Sequence, residues 1–132
     1  MTPQTRELVR TRAGGRCEYC RLPEWLVEVR HVVDHVTARH HDGSDDPENL
    51  AFACVHCNSY KGTNLAGRDP KTGKVVVLFD PRRDQWAKHF RFDGHLILGR
   101  TGRGRGTVAT LRMNDVLQLI IRRATQDELP AE

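Results

Sequence analysis

Two Cys-x2-Cys pairs, Cys17/Cys20 and Cys54/Cys57, stand 33 residues apart in the first half of the chain. Each pair can offer two sulfurs from one tight turn, so the spacing suits a tetrahedral Zn2+ closed by the long intervening segment. A disulfide reading is weaker, because cysteines this close in sequence rarely bond each other and both pairs share one knuckle spacing. A catalytic thiol is disfavoured too, since a tetrathiolate zinc leaves no open position. Asp34-His35 and Asn49-Leu50 lie between the pairs, and Asn58 directly follows the last thiol.

Those enclosed residues have the chemistry needed to hydrolyse a phosphodiester. The reaction requires a deprotonated water, charge compensation on the phosphoryl oxygens and help for the departing 3′ oxygen. His35 is the candidate general base, because an imidazole with an unperturbed pKa near ~6.5 is available in neutral form. Asp34 offers an anionic hard oxygen and Asn58 a neutral one. This sparse pair suits Mg2+ or Mn2+ while leaving positions open for water and phosphate.

In order along the chain, Cys17-x2-Cys20, Asp34-His35, Asn49-Leu50, Cys54-x2-Cys57-Asn58 and Lys61-Gly62 resemble the zinc-containing HNH endonucleases, with asparagine at the third signature position. Residues 65–113 also resemble the tail of small standalone bacterial members of that family, through Asp69-Pro70, Pro81-Arg82-Arg83 and Trp86-x2-His89-Phe90. The resemblance implies an α+β fold: a ββα-metal, treble-clef-like core with structural zinc and a small α/β C-terminal extension. It implies one catalytic Mg2+ or Mn2+, with Ni2+ a further option, on Asp34 and Asn58, and products carrying a 5′ phosphate and a 3′ hydroxyl. Asn49 would orient His35 by bonding backbone near it. Asp34 and His35 are neighbours yet must serve one phosphate, so the strand should end or twist there, with the Asn58 helix packed across it.

The whole chain sets the frame. With 38% hydrophobic and 29% charged residues among 132, the core is small for its length, and a structural metal would help stabilise it. No 18-residue apolar run or apolar signal core is present, so the sequence predicts a soluble, cytoplasmic protein, bacterial or phage-encoded, with no membrane partner. Residues 1–57 carry 7 basic and 9 acidic side chains, and residues 58–132 carry 14 and 8. The basic half suits a polyanion, with double-stranded DNA the expected partner. Lys61, Arg82, Arg83, Arg103 and Arg105 are the candidate backbone contacts; for Arg82-Arg83 and the Arg100–Arg105 tract the alternative is a flexible basic loop.

Two units are expected, a zinc-stapled nuclease core over 1–66 and a basic strand and helix extension over 67–132, together one structural domain. Thr2 or Thr5 should cap a helix running to Arg12, ended by Ala13-Gly14-Gly15. Trp25–Val36 reads as a strand or hairpin, Val55–Asn64 as a helix interrupted at Gly62, and Lys74–Phe79, Phe90–Phe92 and Leu96–Leu98 as strands. Arg82–His89 and Gly106–Met113 read as helices, and Asn114 as the cap of a last helix over Asp115–Ala124. Trp25, Phe52, Trp86 and Phe90 are expected in the core. His31, His40, His41 and His56 read as solvated or supporting groups, with His31 or His40 as alternative contacts to metal or phosphate.

Other readings remain open from the sequence. A noncatalytic zinc-ribbon module would use the cysteines and the basic tail alone, and a nuclease could act on RNA or structured DNA. No helix-turn-helix or other dedicated reader is recognisable, so specificity is low, supplied by the basic tail, or delegated to a partner, and double-strand cutting would need two protomers or two events.

Overall fold

The computed structural model describes residues 1–125; residues 126–132, the end of the expected extension, lie outside the described residues. Helix α1 (Pro3–Arg12) begins where the Thr2 side chain accepts the N–H of Thr5. Pro3 sits in its first turn, where a missing N–H removes no helical bond. Val9 is buried against Leu50 and Phe52, and Gly14 and Gly15, with φ of +66° and +71°, turn the chain into the first cysteine knuckle.

Strands β1 (Val32–His35) and β2 (Leu50–Ala53) pair antiparallel, with Asp34 opposite Ala51 and His35 opposite Leu50. Helix α2 (Val55–Lys61) follows at once, its N-terminus capped by the Cys54 sulfur accepting the Cys57 N–H, and it packs on β1. This is the ββα unit.

Of the strand expected over Trp25–Val36 only Val32–His35 forms, and the part from Trp25 does not. Glu24–Leu26 is a 3-10 turn, and the Glu24 carboxylate gathers Arg6, Arg10 and the backbone N–H of His31 at 2.9, 2.9 and 3.0 Å. These bonds wrap residues 24–31 around one carboxylate and override the β-branched propensity of the segment. Trp25, expected in the core, is 51% exposed, with the Arg16 guanidinium 4.9 Å over its ring.

The second half adds hairpin β3 (Ala66–Arg68) and β4 (Val75–Val77), helix α3 (Trp86–His89), hairpin β5 (Phe90–Asp93) and β6 (Leu96–Gly99), then α4 (Gly102–Thr110) and α5 (Val116–Thr125). Helix α3 is shorter than expected, because residues 81–84 are turn held by the Asp80 carboxylate and carbonyl. The glycine-rich Arg100–Arg105 tract, for which a flexible basic loop is the alternative reading, contributes the first turn of α4. Thr101 caps that helix, and its glycines let it pack at contact distance: a Cβ at Gly104 would lie 2.0 Å from the His89 carbonyl oxygen. Asn114 does not cap α5; its amide closes both backbone bonds of Ile97 on β6.

One apolar cluster spans both halves, joining Tyr19 and the four cysteines to Phe79, Trp86, Phe90, Ile97, Leu111 and Met113. Among the described residues no helix is long and apolar enough to cross a membrane. The result is a mixed α/β fold of two-stranded sheets and short helices around a cluster of four cysteines.

Candidate active site

The four cysteine sulfurs lie within 4.8 Å of one another, all buried, and Cys20 and Cys54 approach to 3.7 Å. Zinc–thiolate bonds of ~2.3 Å in a tetrahedron require sulfurs ~3.8 Å apart, so the cluster fits the ion. The amide N–H groups of Cys20 and Cys57 point at the sulfurs of Cys17 and Cys54 at 3.4 Å, the local geometry that aims each turn's thiols inward. Contacts with Cys17 and Cys20, together with burial, push the Cys54 and Cys57 thiols upward. Four buried sulfurs cannot all ionise without a cation, and that need is what a metal supplies.

The first knuckle also holds two residues with further roles. Glu18 pairs with Phe52 as a strand neighbour would, its N–H on the Phe52 carbonyl and its carboxylate on the Phe52 N–H, both at 2.8 Å. Tyr19, fully buried, donates its hydroxyl to Asp34 Oδ2 at 2.7 Å. Burial and the neighbouring Asp34 charge raise the tyrosine well above its ordinary pKa, so it stays a donor.

Asp34 itself is buried. Its second oxygen accepts from the Lys61 ammonium at 3.2 Å, and the same ammonium donates to the His35 carbonyl at 2.9 Å. Burial raises the Asp34 carboxyl above its usual value despite the opposing pull of Lys61 and Tyr19. An ionised carboxylate has about four acceptor sites, and Tyr19 and Lys61 each take one, so acceptor capacity for a hard cation is left. Asn58, on α2 one turn before Lys61, adds a neutral amide oxygen and is only partly buried. Lys61 already compensates the Asp34 charge.

His35 leaves the strand on the other side. Its side chain is 17% exposed, and Nε2 lies 2.8 Å from Asp45 Oδ1. That bond, and a second from Arg39 Nε at 2.9 Å, lower the Asp45 carboxyl below its ordinary value. The strand ends at His35 and the chain bends at Val36–Thr37. Thus the carboxylate and the imidazole flank a strand terminus, sharing no hydrogen-bond partner. Asn49 closes the bend: its Oδ1 accepts from Thr37 N at 2.8 Å and its Nδ2 donates to the carbonyls of Thr37 and Ser44 at 2.9 and 2.7 Å.

Residues 17–64 match the family model described as HNH endonuclease. This segment is similar to an HNH endonuclease domain. No curated protein and no solved structure matches the chain. The HNH segment runs from the first knuckle thiol through β1, β2 and α2, and so contains the four-cysteine cluster, Asp34, His35, Asn49 and Asn58. An HNH domain implies nuclease activity on nucleic acids.

The basic residues expected on a phosphate backbone are placed unequally around the HNH domain. Lys61 is 1% exposed and faces Asp34, so its ammonium is directed inward. Arg82 is nearly buried in an ion pair with Glu18. Arg103 pairs with Asp84 at 2.9 Å, and Arg105 clasps Asp69 through two bonds of 2.9 and 2.8 Å. Only Arg83 of the five is without an ion-pair partner among the described residues, and it is exposed. His31 is buried, donating from Nε2 to the Leu22 carbonyl at 2.8 Å, while His40 and His41 are exposed and meet edge to face. His56 bonds the Arg112 carbonyl.

The sequence reading missed Tyr19, Glu18 and Asp45. Tyr19 carries one signal, a hydroxyl-bearing aromatic inside a metal knuckle, where core packing and a polar handle are both required. Asp45 belongs to an acidic loop run with nothing local to distinguish it from Asp42 or Asp46.

Proposed function

We propose that the protein is a metal-dependent endonuclease that hydrolyses DNA phosphodiester bonds, with His35 as general base and Asp34 and Asn58 as ligands of one divalent cation. The observation that carries this reading is the Asn49 amide, which grips both backbone groups of Thr37 and so fixes the chain two residues beyond His35 within the family-matched segment. A neutral imidazole at a fixed, partly exposed strand end can take a proton from an attacking water.

Asp34 and Asn58 would hold the cation, which would supply charge compensation to the phosphoryl group and its leaving oxygen. The chain's own residues do the rest. Tyr19 and Lys61 hold the Asp34 carboxylate in one orientation, Asn58 lies on α2 one turn before Lys61, and the four-cysteine cluster ties the start of α2 to the first knuckle. The products are a 5′ phosphate and a 3′ hydroxyl. Double-stranded DNA is the proposed substrate, with Arg83 a backbone contact.

Plasmid nicking tests the reading. Supercoiled DNA should be nicked in Mg2+ or Mn2+, and both EDTA and His35→Ala should abolish nicking while the variant keeps its zinc and fold. Undiminished cleavage by His35→Ala would refute the base assignment. Salt-sensitive DNA binding without cleavage in any divalent ion would favour a zinc-ribbon binding module.

A further inference from the structure

The ring of His35 has two nitrogens, and only one can accept a proton from water. Its Nε2 is 2.8 Å from Asp45 Oδ1. An ionised carboxylate offers acceptors only, so this bond places the ring proton on Nε2 and leaves the lone pair on Nδ1. We propose that Asp45 is the positioning residue of His35, fixing the tautomer and ring orientation that make Nδ1 the proton acceptor. The inference rests on the nuclease reading for its consequence, though not for the hydrogen bond itself.

The loop that delivers Asp45 is built against the strand exit. Gly43 passes so close to Thr37 that a Cβ there would lie 1.7 Å from the Thr37 carbonyl oxygen, and the Gly43 N–H bonds the Ala38 carbonyl at 3.0 Å. Asp42 turns the chain in the left-handed region at φ +63°. Asn49 then ties the two sides together, one amide nitrogen donating to Thr37 on the strand exit and to Ser44 immediately before Asp45. The asparagine at the family's second signature position therefore holds both the base's backbone and the loop that carries the base's carboxylate partner.

Arg39 completes the arrangement. Its Nε donates to Oδ1 of Asp45 at 2.9 Å, the same oxygen that faces His35. Asp45 is 66% exposed, so water competes for its oxygens, and a second anchor restricts it to one geometry. The other charges near His35 are engaged elsewhere: Lys61 reaches the backbone carbonyl of His35, and the Asp34 oxygens accept from Lys61 and Tyr19 rather than from the ring. Asp45 is thus the carboxylate in contact with the ring, as a carboxylate orients the base in other hydrolases.

The test reads the tautomer directly and activity separately. In zinc-loaded protein, 15N-resolved NMR of the His35 ring at a pH where it is neutral should show Nε2 protonated and Nδ1 free. Asp45→Ala should mix the two tautomers and lower kcat on plasmid DNA about tenfold to a hundredfold with KM within about twofold, a fraction of the ~10²–10⁴ that general-base catalysis contributes. Asp45→Asn, whose amide oxygen can still accept from Nε2, should keep the tautomer and recover most of the rate. A wild-type ring protonated on Nδ1, or an unchanged tautomer and kcat in Asp45→Ala, overturns the proposal. If the wild type cuts nothing, the nuclease reading falls, and the ring spectrum still decides whether Asp45 holds His35.

Discussion

The ammonium of Lys61 lies 3.2 Å from Asp34 Oδ1, with both side chains almost fully removed from water. The pair locks α2 onto β1 at the carboxylate proposed to hold a cation. Removing one member strands a buried charge, which costs about 3–5 kcal/mol. Lys61→Met should therefore destabilise the zinc-loaded protein by that order, and adding Asp34→Asn should recover part of the loss. Urea melts of the two single variants and the double variant check this; simple additivity would mean that the two groups do not couple.

Structural zinc is expected to decide whether the chain folds. Apparent binding free energies of structural zinc sites are ~10–16 kcal/mol, as large as the ~5–15 kcal/mol that stabilises a whole domain. Cys57→Ser, or prolonged chelation, should abolish cooperative unfolding, and the cluster also packs directly in the main core. Native protein should contain one zinc per chain, and cobalt substitution should give the absorption of a tetrahedral tetrathiolate. A folded, metal-free protein would contradict the prediction.

Glu24 gives a pH test away from the metal. Bonds from Arg10, His31 and Arg6 outweigh burial and lower its carboxyl below the ordinary 4.5. A lowered folded pKa contributes stability that is present above the unfolded value and disappears as pH falls through the folded one. Glu24→Gln should thus cost about 1–2 kcal/mol at pH 7, and the gap between variant and wild type should narrow below pH ~4.5. Paired urea melts across that range measure it; a gap that widens on acidification would reverse the sign.

Arg82 and Arg83 are neighbours with opposite expected phenotypes. Arg82→Ala should lower stability by leaving Glu18 unpaired beside β2, because the Glu18 carboxylate also holds the Phe52 N–H. Arg83→Ala should change stability by less than about 0.5 kcal/mol and reduce the magnitude of the salt slope of DNA binding by about one. Melting curves and binding titrations at several salt concentrations separate the two effects.

Much of this arrangement was legible before any coordinates. The knuckles were readable because two turns of identical spacing leave few other uses for four thiols, and α1 because Thr2, Pro3 and the paired glycines are local signals. Hairpin β5–β6 followed from Asp93-Gly94 between apolar runs. What escaped was long-range. Trp25 sits outside because Glu24, not the aromatic ring, organises its segment, and α4 forms from a glycine-rich tract because Gly104 meets the His89 carbonyl where no side chain would fit. The partners of Asp34 are 15 and 27 residues away, and no period or cap in the sequence encodes such a meeting.

The indole N–H of Trp86 donates to the Tyr19 carbonyl at 2.8 Å, and the Tyr19 hydroxyl in turn bonds Asp34. Residues beyond the family-matched segment thereby brace the tyrosine that holds the Asp34 carboxylate. A fragment ending at residue 66 would keep every signature side chain and lose that brace. On the proposed function, the smallest active piece of this polypeptide is expected to be longer than its motif, and engineering that grafts only the motif elsewhere must also bring a replacement for the tryptophan.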